Sequence, residues 1–407
     1  MKFDLFLSIC QTEVDGWTPT ERQMFMNFFD QAKLADELGF GTAWVAETHL
    51  SCQIQKENPG AVIPHFKGEI GLNTDILQLA HLLFSKTKRI HVGSAIRNII
   101  CNGGPIAHAE SVRTFLSLHD LNPNESRKLE LGFAAGRFPF SNTPYGFRPK
   151  NEFETAAWEV LKNKYFQQAT EIFLRFLKGE HLSSRDVETR FLSAADFRKP
   201  EEWEKVQSID ARTHGAKRER IPLDCHWQFE KVGVIPFDVS HKNLRLTIGS
   251  HDPETQILAN RILPTGVFNL SITPEKVIEE THARMREHYH RDGGAWKREL
   301  MPRTVLLFLD DSPGLSDAQK SERAQAQARR AWENYWRAME KTLDPAKVES
   351  AVSNTIAGNA REVTEKILEK YHPEDRLMLW FDFNNHDNES VKRSMRVFME
   401  QVAPQLG

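Results

Sequence analysis

The stretch Gly39-Phe-Gly-Thr-Ala-Trp-Val-Ala-Glu-Thr-His-Leu50 sets an apolar run between a glycine that stops a helix and two proton-handling side chains. A short apolar run of this kind reads as a strand buried on both faces, as in a parallel sheet covered by helices. Side chains alternate along a strand, so Glu47 and His49 share one face at its C-terminal tip, while Thr48 and Leu50 take the other. Active sites of α/β proteins are built at such tips.

Working outward, residues 3–8 form a first strand, and Thr18-Pro-Thr-Glu21 opens a helix with Thr18 as N-cap and Pro19 at the first helical position. Met24, Phe28, Ala35 and Leu38 then face inward, and Gly39 ends that helix. Further buried strands are expected at 90–96, 129–134, 246–250, 266–270, 304–309 and 377–381, with a helix over 108–118. This order of strand, loop and helix suits a closed barrel or an open doubly wound sheet, and the count of eight favours a (β/α)8 TIM barrel. One domain then spans residues 1–407, with two departures from a minimal barrel. A long Pro- and Gly-containing connection (53–73) follows the second strand, and a charge-dense insertion at about 180–224 precedes the fifth, either as a lid or as a solvated excursion.

Composition narrows the function. Lys and Arg total 53 against 56 Asp and Glu, a net charge of −3 with both signs interspersed, so no polyanion-binding footprint stands out. Cys10, Cys52, Cys101 and Cys225 lack CxxC spacing, which argues against a zinc cluster or a secreted disulfide framework and suits a reducing cytoplasm. Asp4 breaks the N-terminal apolar run and no later run is long enough to span a bilayer, so the chain reads as soluble, without nucleic-acid or membrane partners. His282, His288 and His290 lie in a charged helical stretch that reads as a solvated face, and no metal is assigned.

Several ordered motifs resemble the bacterial luciferase-like, flavin-dependent monooxygenase family over nearly the whole chain outside the insertion. Ala46-Glu-Thr-His-Leu50 resembles the family's Glu-His-His-Phe element, with Thr48 in place of the first histidine and His49 on the second. Val92-Gly-Ser-Ala-Ile96, Pro105-Ile-Ala-His-Ala-Glu110 and Leu131-Gly-Phe-Ala-Ala-Gly-Arg137 resemble its third-strand, helix-start and fourth-strand segments. Ile248-Gly-Ser-His-Asp-Pro-Glu-Thr255 lies where the family binds flavin phosphate. Thr48 argues against light emission, and Ala134-Ala135-Gly136 lacks the reactive cysteine of the luciferases.

The resemblance implies reduced FMN and oxygen forming a C4a-hydroperoxide that oxygenates a small organic substrate, with flavin delivered by a separate NAD(P)H:flavin reductase. It implies catalytic roles for His49, Glu47 and His226. It places Ala95 beneath the ring, where the family sometimes has a cis non-proline bond, and Asn98 beside it, ahead of Asn102. It assigns Gly136, Arg137, Tyr165, Ser250, His251 and Thr255 to the cofactor, chiefly its phosphate. The residues also admit plainer readings: His49 as a structural histidine paired with Glu47, Ser-His-Asp-Pro as an ordinary N-cap turn, Tyr165 as core. Trp380 and Asn384 are placed near the pocket but outside the catalytic set. No GxGxxG follows a strand, in keeping with reduction elsewhere. A homodimer is expected, with Phe25, Phe28 and Phe29 as interface or core. The rivals are a deazaflavin (F420)-dependent hydride-transfer enzyme on the same barrel and a non-catalytic flavin-binding protein.

Overall fold

Parallel strands order the whole chain. The structure, a computed structural model, describes residues 1–58, 67–136, 139–270, 273–340 and 345–407. The first half contains β1 (Lys2–Leu7), α1 (Glu21–Leu38), β2 (Thr42–Ala46), α2 (Ile76–Lys86), β3 (His91–Asn98), α3 (Gly104–His119), β4 (Leu129–Ala134), α4 (Pro139–Asn142) and α5 (Glu152–Lys178). Next come β5 (Arg190–Leu192), α6 (Pro200–His214), β6 (Ile221–Leu223), β7 (Leu244–Ile248), α7 (Pro253–Ile262), β8 (Thr265–Val267) and α8 (Glu275–His288). The last part holds β9 (Arg303–Leu309), α9 (Asp317–Glu340), α10 (Pro345–Ser353), β10 (Ile356–Gly358), α11 (Ala360–Lys370), β11 (Arg376–Trp380) and α12 (Asn388–Val397).

Nine of these strands form one curled sheet in the order β10-β9-β11-β1-β2-β3-β4-β7-β8, with every pairing parallel. Its two ends approach at a parallel bridge between Asn269 and Arg303. All eight expected strands are present within a few residues; the sixth stops at Val267, and Asn269 turns instead to the start of β9. Three-residue β10, too short to stand out in the sequence, extends the far end of β9.

Two helix starts differ from expectation. Thr20, not Thr18, caps α1: its hydroxyl accepts the Gln23 N–H at 3.1 Å, while the Pro19 carbonyl accepts Gln11 Nε2 at 2.6 Å and so lies outside the helix. Helix α3 begins four residues before 108, because left-handed Gly103 and Gly104 make the turn and Pro105 fits the first turn. Of the α1 residues expected inside, Met24, Phe28 and Ala35 are buried and Leu38 is half-buried. The 180–224 segment is an ordered unit: β5 and β6 pair antiparallel around α6, and Leu192, Trp203, Val206 and Ile221 join the main core.

The end of the sheet opposite the strand tips is plugged by charge. Arg376 Nε meets Asp4 Oδ2 at 2.6 Å, its Nη atoms meet both Glu130 oxygens at 2.7 and 2.8 Å, and Nη2 donates to Thr42 Oγ1 at 2.7 Å. Trp44 Nε1 adds a bond to Asp4 Oδ2 at 2.7 Å. Every one of these side chains is buried.

The histidine stretch is a correction. His282 is fully buried and its Nδ1 accepts Trp296 Nε1–H at 3.1 Å, because α8 turns this side inward; His288 alone of the three is exposed. Burial depresses the His282 pKa to about 4. A histidine whose folded pKa lies below its unfolded value stabilises fully above pH 6.5, and that stability is lost as pH falls toward 4. His282→Gln, which keeps an acceptor for Trp296, should therefore flatten the acid side of a urea-midpoint profile between pH 6 and 5 by at most about 1 kcal/mol per pH unit.

Candidate active site

Because the strands are parallel, their C-terminal tips share one rim, and the buried cluster of Phe6, Trp44, Phe268 and Met378 lies beneath it. Ala46, Ala95, Ile96 and Trp380 pack on that cluster from the rim side. The Ala95–Ile96 peptide is cis. A Cβ on Gly249 would lie 2.6 Å from Ile96 Cδ1 and 3.2 Å from Ala134 Cβ, so the tips of β3, β4 and β7 meet closely and a side chain at Gly249 would push Ile96 aside.

Glu47 and His49 are both buried and share a face, as alternation requires: His49 Nε2 lies 3.1 Å from Glu47 Oε1. A carboxylate can only accept, so His49 carries its proton on Nε2 and leaves Nδ1 as an acceptor. Glu47 Oε2 accepts the Ile76 N–H at 3.4 Å at the start of α2, where the helix dipole favours a negative charge.

The sequence reading missed the buried cation behind this pair. Arg97 Nη1 lies 3.9 Å from Glu47 Oε2 and 3.6 Å from Asp75 Oδ1, and Arg97 Nε donates to His108 Nδ1 at 2.8 Å. His108 passes its remaining N–H to the Cys101 carbonyl at 2.9 Å, and burial together with Arg97 depresses its pKa to about 3. His108 therefore stays neutral and serves Arg97 as an acceptor. A signal existed, since arginine inside an otherwise apolar strand demands a partner.

Asn98 Nδ2 donates to Asn142 Oδ1 at 2.7 Å and its Oδ1 accepts the Ile100 N–H at 3.2 Å, so most of its bonding capacity is used internally. Gly136, at φ +71°, packs on the Asn98 amide, where a Cβ would collide. Tyr145 places its ring 6.3 Å from His49, and nearby Phe147 contacts His226 at 5.3 Å and Tyr165 at 6.2 Å, so the 143–147 turn stitches the two groups together. His226 stacks 4.7 Å from Tyr165, and burial followed by Lys150 depresses its pKa to about 4. Trp227 Nε1 reaches the start of α3, where a Cβ on Gly104 would lie 2.5 Å away. Tyr165 donates its hydroxyl to Glu154 Oε1 at 3.1 Å, and burial raises its pKa.

At the start of α7, Ser250 Oγ accepts the Asp252 N–H at 3.2 Å, His251 is exposed, and Thr255 is fully buried with its hydroxyl bonded to Asp252. Arg137 lies outside the described residues. Trp380 packs on the rim cluster, its Nε1 donating to Ser8 Oγ at 2.6 Å, and Ser8 donates to Asp382 Oδ1 at 3.0 Å, whereas Asn384 lines a neighbouring groove. Burial raises the Asp382 pKa to about 6 despite its bonds to Ser8. Beside these loops a groove of about 840 Å³ opens between Trp17, Arg330 and His386, but none of the residues singled out from the sequence as catalytic or cofactor-binding line it.

A flat ring system fits this rim. Small residues (Ala46, Ala95, Ala134, Gly249) share this rim with Ile96, and aromatic rings close the His226 flank. The hydroxyls of Tyr165 and Thr255 are already given to carboxylates.

Residues 1–120 match the family model of the luciferase-like monooxygenases. A search of curated proteins returned no match. Among solved structures, monooxygenase RslO1 from Streptomyces bottropensis is 16% identical with a TM-score of 0.68, covering 100% of both chains. The oxygenating constituent of 3,6-diketocamphane monooxygenase from Pseudomonas putida, solved in complex with FMN, is 14% identical with a TM-score of 0.58 over 99% of this chain and 98% of its own. An F420-dependent secondary alcohol dehydrogenase is 13% identical with a TM-score of 0.55 over 100% and 99%. Residues 1–120 are thus similar to the luciferase-like monooxygenases, and the chain as a whole shares the α/β fold of these solved structures.

Proposed function

We propose that the protein is an FMN-dependent monooxygenase that uses reduced flavin and oxygen to oxygenate a small organic substrate on a single complete (β/α)8 barrel. The observation that carries this is that the Glu47–His49 pair, Ala95 and the Gly249 turn stand on neighbouring strand tips of one rim, beside small apolar residues. Bound reduced flavin would supply the two electrons that activate oxygen.

The chain's own residues do the rest. Ala95, Ile96 and Gly249 offer an apolar floor, and Asn98 and Gly136 border it. Glu47 accepts from Nε2 and orients the His49 ring, leaving Nδ1 to take or return a proton. Arg97 holds charge beside Glu47. His226, neutral because it is buried, offers one ring N–H and one acceptor nitrogen at neutral pH, and Asp382 supplies a carboxyl whose proton comes off near pH 6. Phe147, Trp158 and Trp227 exclude water from the His226 side. Ser250 and His251, just before α7, would serve the sugar-alcohol end of a bound flavin.

A cytoplasmic setting with a separate NAD(P)H:flavin reductase as partner follows from the same reading. So does a homodimer using the half-buried Phe25 and Phe29 of α1.

Anaerobic titration with reduced FMN and with reduced F420, followed by oxygen, tests the proposal. Reduced FMN should bind and reoxidise more slowly than free flavin; binding of F420 alone, with no oxygen uptake, would make the protein a hydride-transfer enzyme instead.

A further inference from the structure

We infer that the α7 corner rejects a phosphate dianion, so that the protein grips the ring and sugar-alcohol chain of a flavin and gains little from its terminal phosphate. This rests on the flavin reading above and concerns which end of the molecule is held. A helix N-terminus receives a phosphate through free N–H groups and an unopposed positive dipole end. At α7 the chain's own carboxylate, Asp252, already takes the Thr255 N–H and lies at the positive dipole end.

Asp252 Oδ2 accepts the Thr255 N–H at 3.1 Å, the Thr255 hydroxyl, Gln167 Nε2 at 3.0 Å and Asn163 Nδ2 at 3.3 Å. Burial raises the Asp252 pKa, but these bonds outweigh it and hold the group below the usual carboxylate range, so it remains an anion. The second donor expected for phosphate, the Tyr165 hydroxyl, is likewise given to a carboxylate, Glu154. Glu254 is a third acid at this corner, 3.4 Å from Gln167 Nε2. The cation beside it, Lys164, is bound 2.9 Å from Asp196 and 3.9 Å from Glu254. A dianion arriving here would compete with Asp252 for its donors and meet like charge at short range in a partly desolvated site.

FMN and riboflavin differ by the phosphate alone, which makes them the probes. Titrated separately into the full-length protein in their oxidised forms, they should show dissociation constants within about threefold of each other. Asp252→Ser and Asp252→Asn keep a neutral N-cap, and each should tighten FMN about tenfold while leaving riboflavin unchanged. A wild-type preference for FMN of about a hundredfold, or variants that lose FMN affinity, would overturn the inference while leaving the flavin reading intact. Failure to bind either flavin overturns both. If both variants misfold, the wild-type comparison still decides.

Discussion

Arg376→Met should unfold the protein at a markedly lower urea concentration, with a loss of about 3–5 kcal/mol, because it leaves two carboxylates buried without their cation. Arg376 touches Asp4, Glu130 and Thr42, and Glu130 is also met by the half-exposed Arg245 at 3.1 Å. Burial alone would raise the Glu130 pKa, but Arg376 outweighs it and brings it down to about 2. Asp4, also buried, is raised to about 6 even beside the same guanidinium. Glu130 therefore contributes stability above pH 4.5 that is lost as pH falls toward 2, and this contribution should vanish with Arg376. Adding Glu130→Gln to Arg376→Met should restore much of the loss, since the penalty lies in the orphaned charge more than in the missing attraction. A single variant within about 1 kcal/mol of wild type would show that water reaches the plug and solvates it.

That network also marks where sequence reading stops. The strands were legible because each is a short apolar run buried on both faces, and 42–46 and 129–134 were placed to the residue. The Glu47–His49 pairing followed from alternation alone. Asp4, Thr42, Glu130 and Arg376 were not legible as a unit: each lies on a different strand, and only closure of the curled sheet brings positions 4 and 376 side by side. Arg97 and His108 escaped for the same reason, their partnership spanning a strand, a glycine turn and a helix. Asp252 shows the converse. Ser-His-Asp-Pro is as good a self-capping turn as a phosphate site, and the deciding fact is contributed by Asn163 and Gln167 from α5.

His49→Ala should lower turnover by about 10²–10⁴-fold while leaving flavin affinity within experimental error. The geometry makes the two readouts separable. His49 is buried against Glu47 and lies 6.3 Å from the Tyr145 ring, whereas the apolar floor of Ala95, Ile96 and Gly249 is built without it. Removing the imidazole deletes Nδ1, the atom available to move a proton, and frees Glu47 Oε1 without disturbing the Ile76 N–H bond to Oε2. Arg97 at 3.9 Å still balances the carboxylate, so folding should be little affected. His49→Gln supplies a donor to Glu47 but no ring nitrogen that can take and return a proton; it should keep wild-type stability and remain as inactive as the alanine variant. Were the glutamine variant to recover activity, His49 would be a spacer that holds Glu47 in place, and proton transfer would pass to His226 or Asp382. Those two predict opposite pH limbs: loss of activity as His226 gains a proton near pH 4, or as Asp382 gives one up near pH 6.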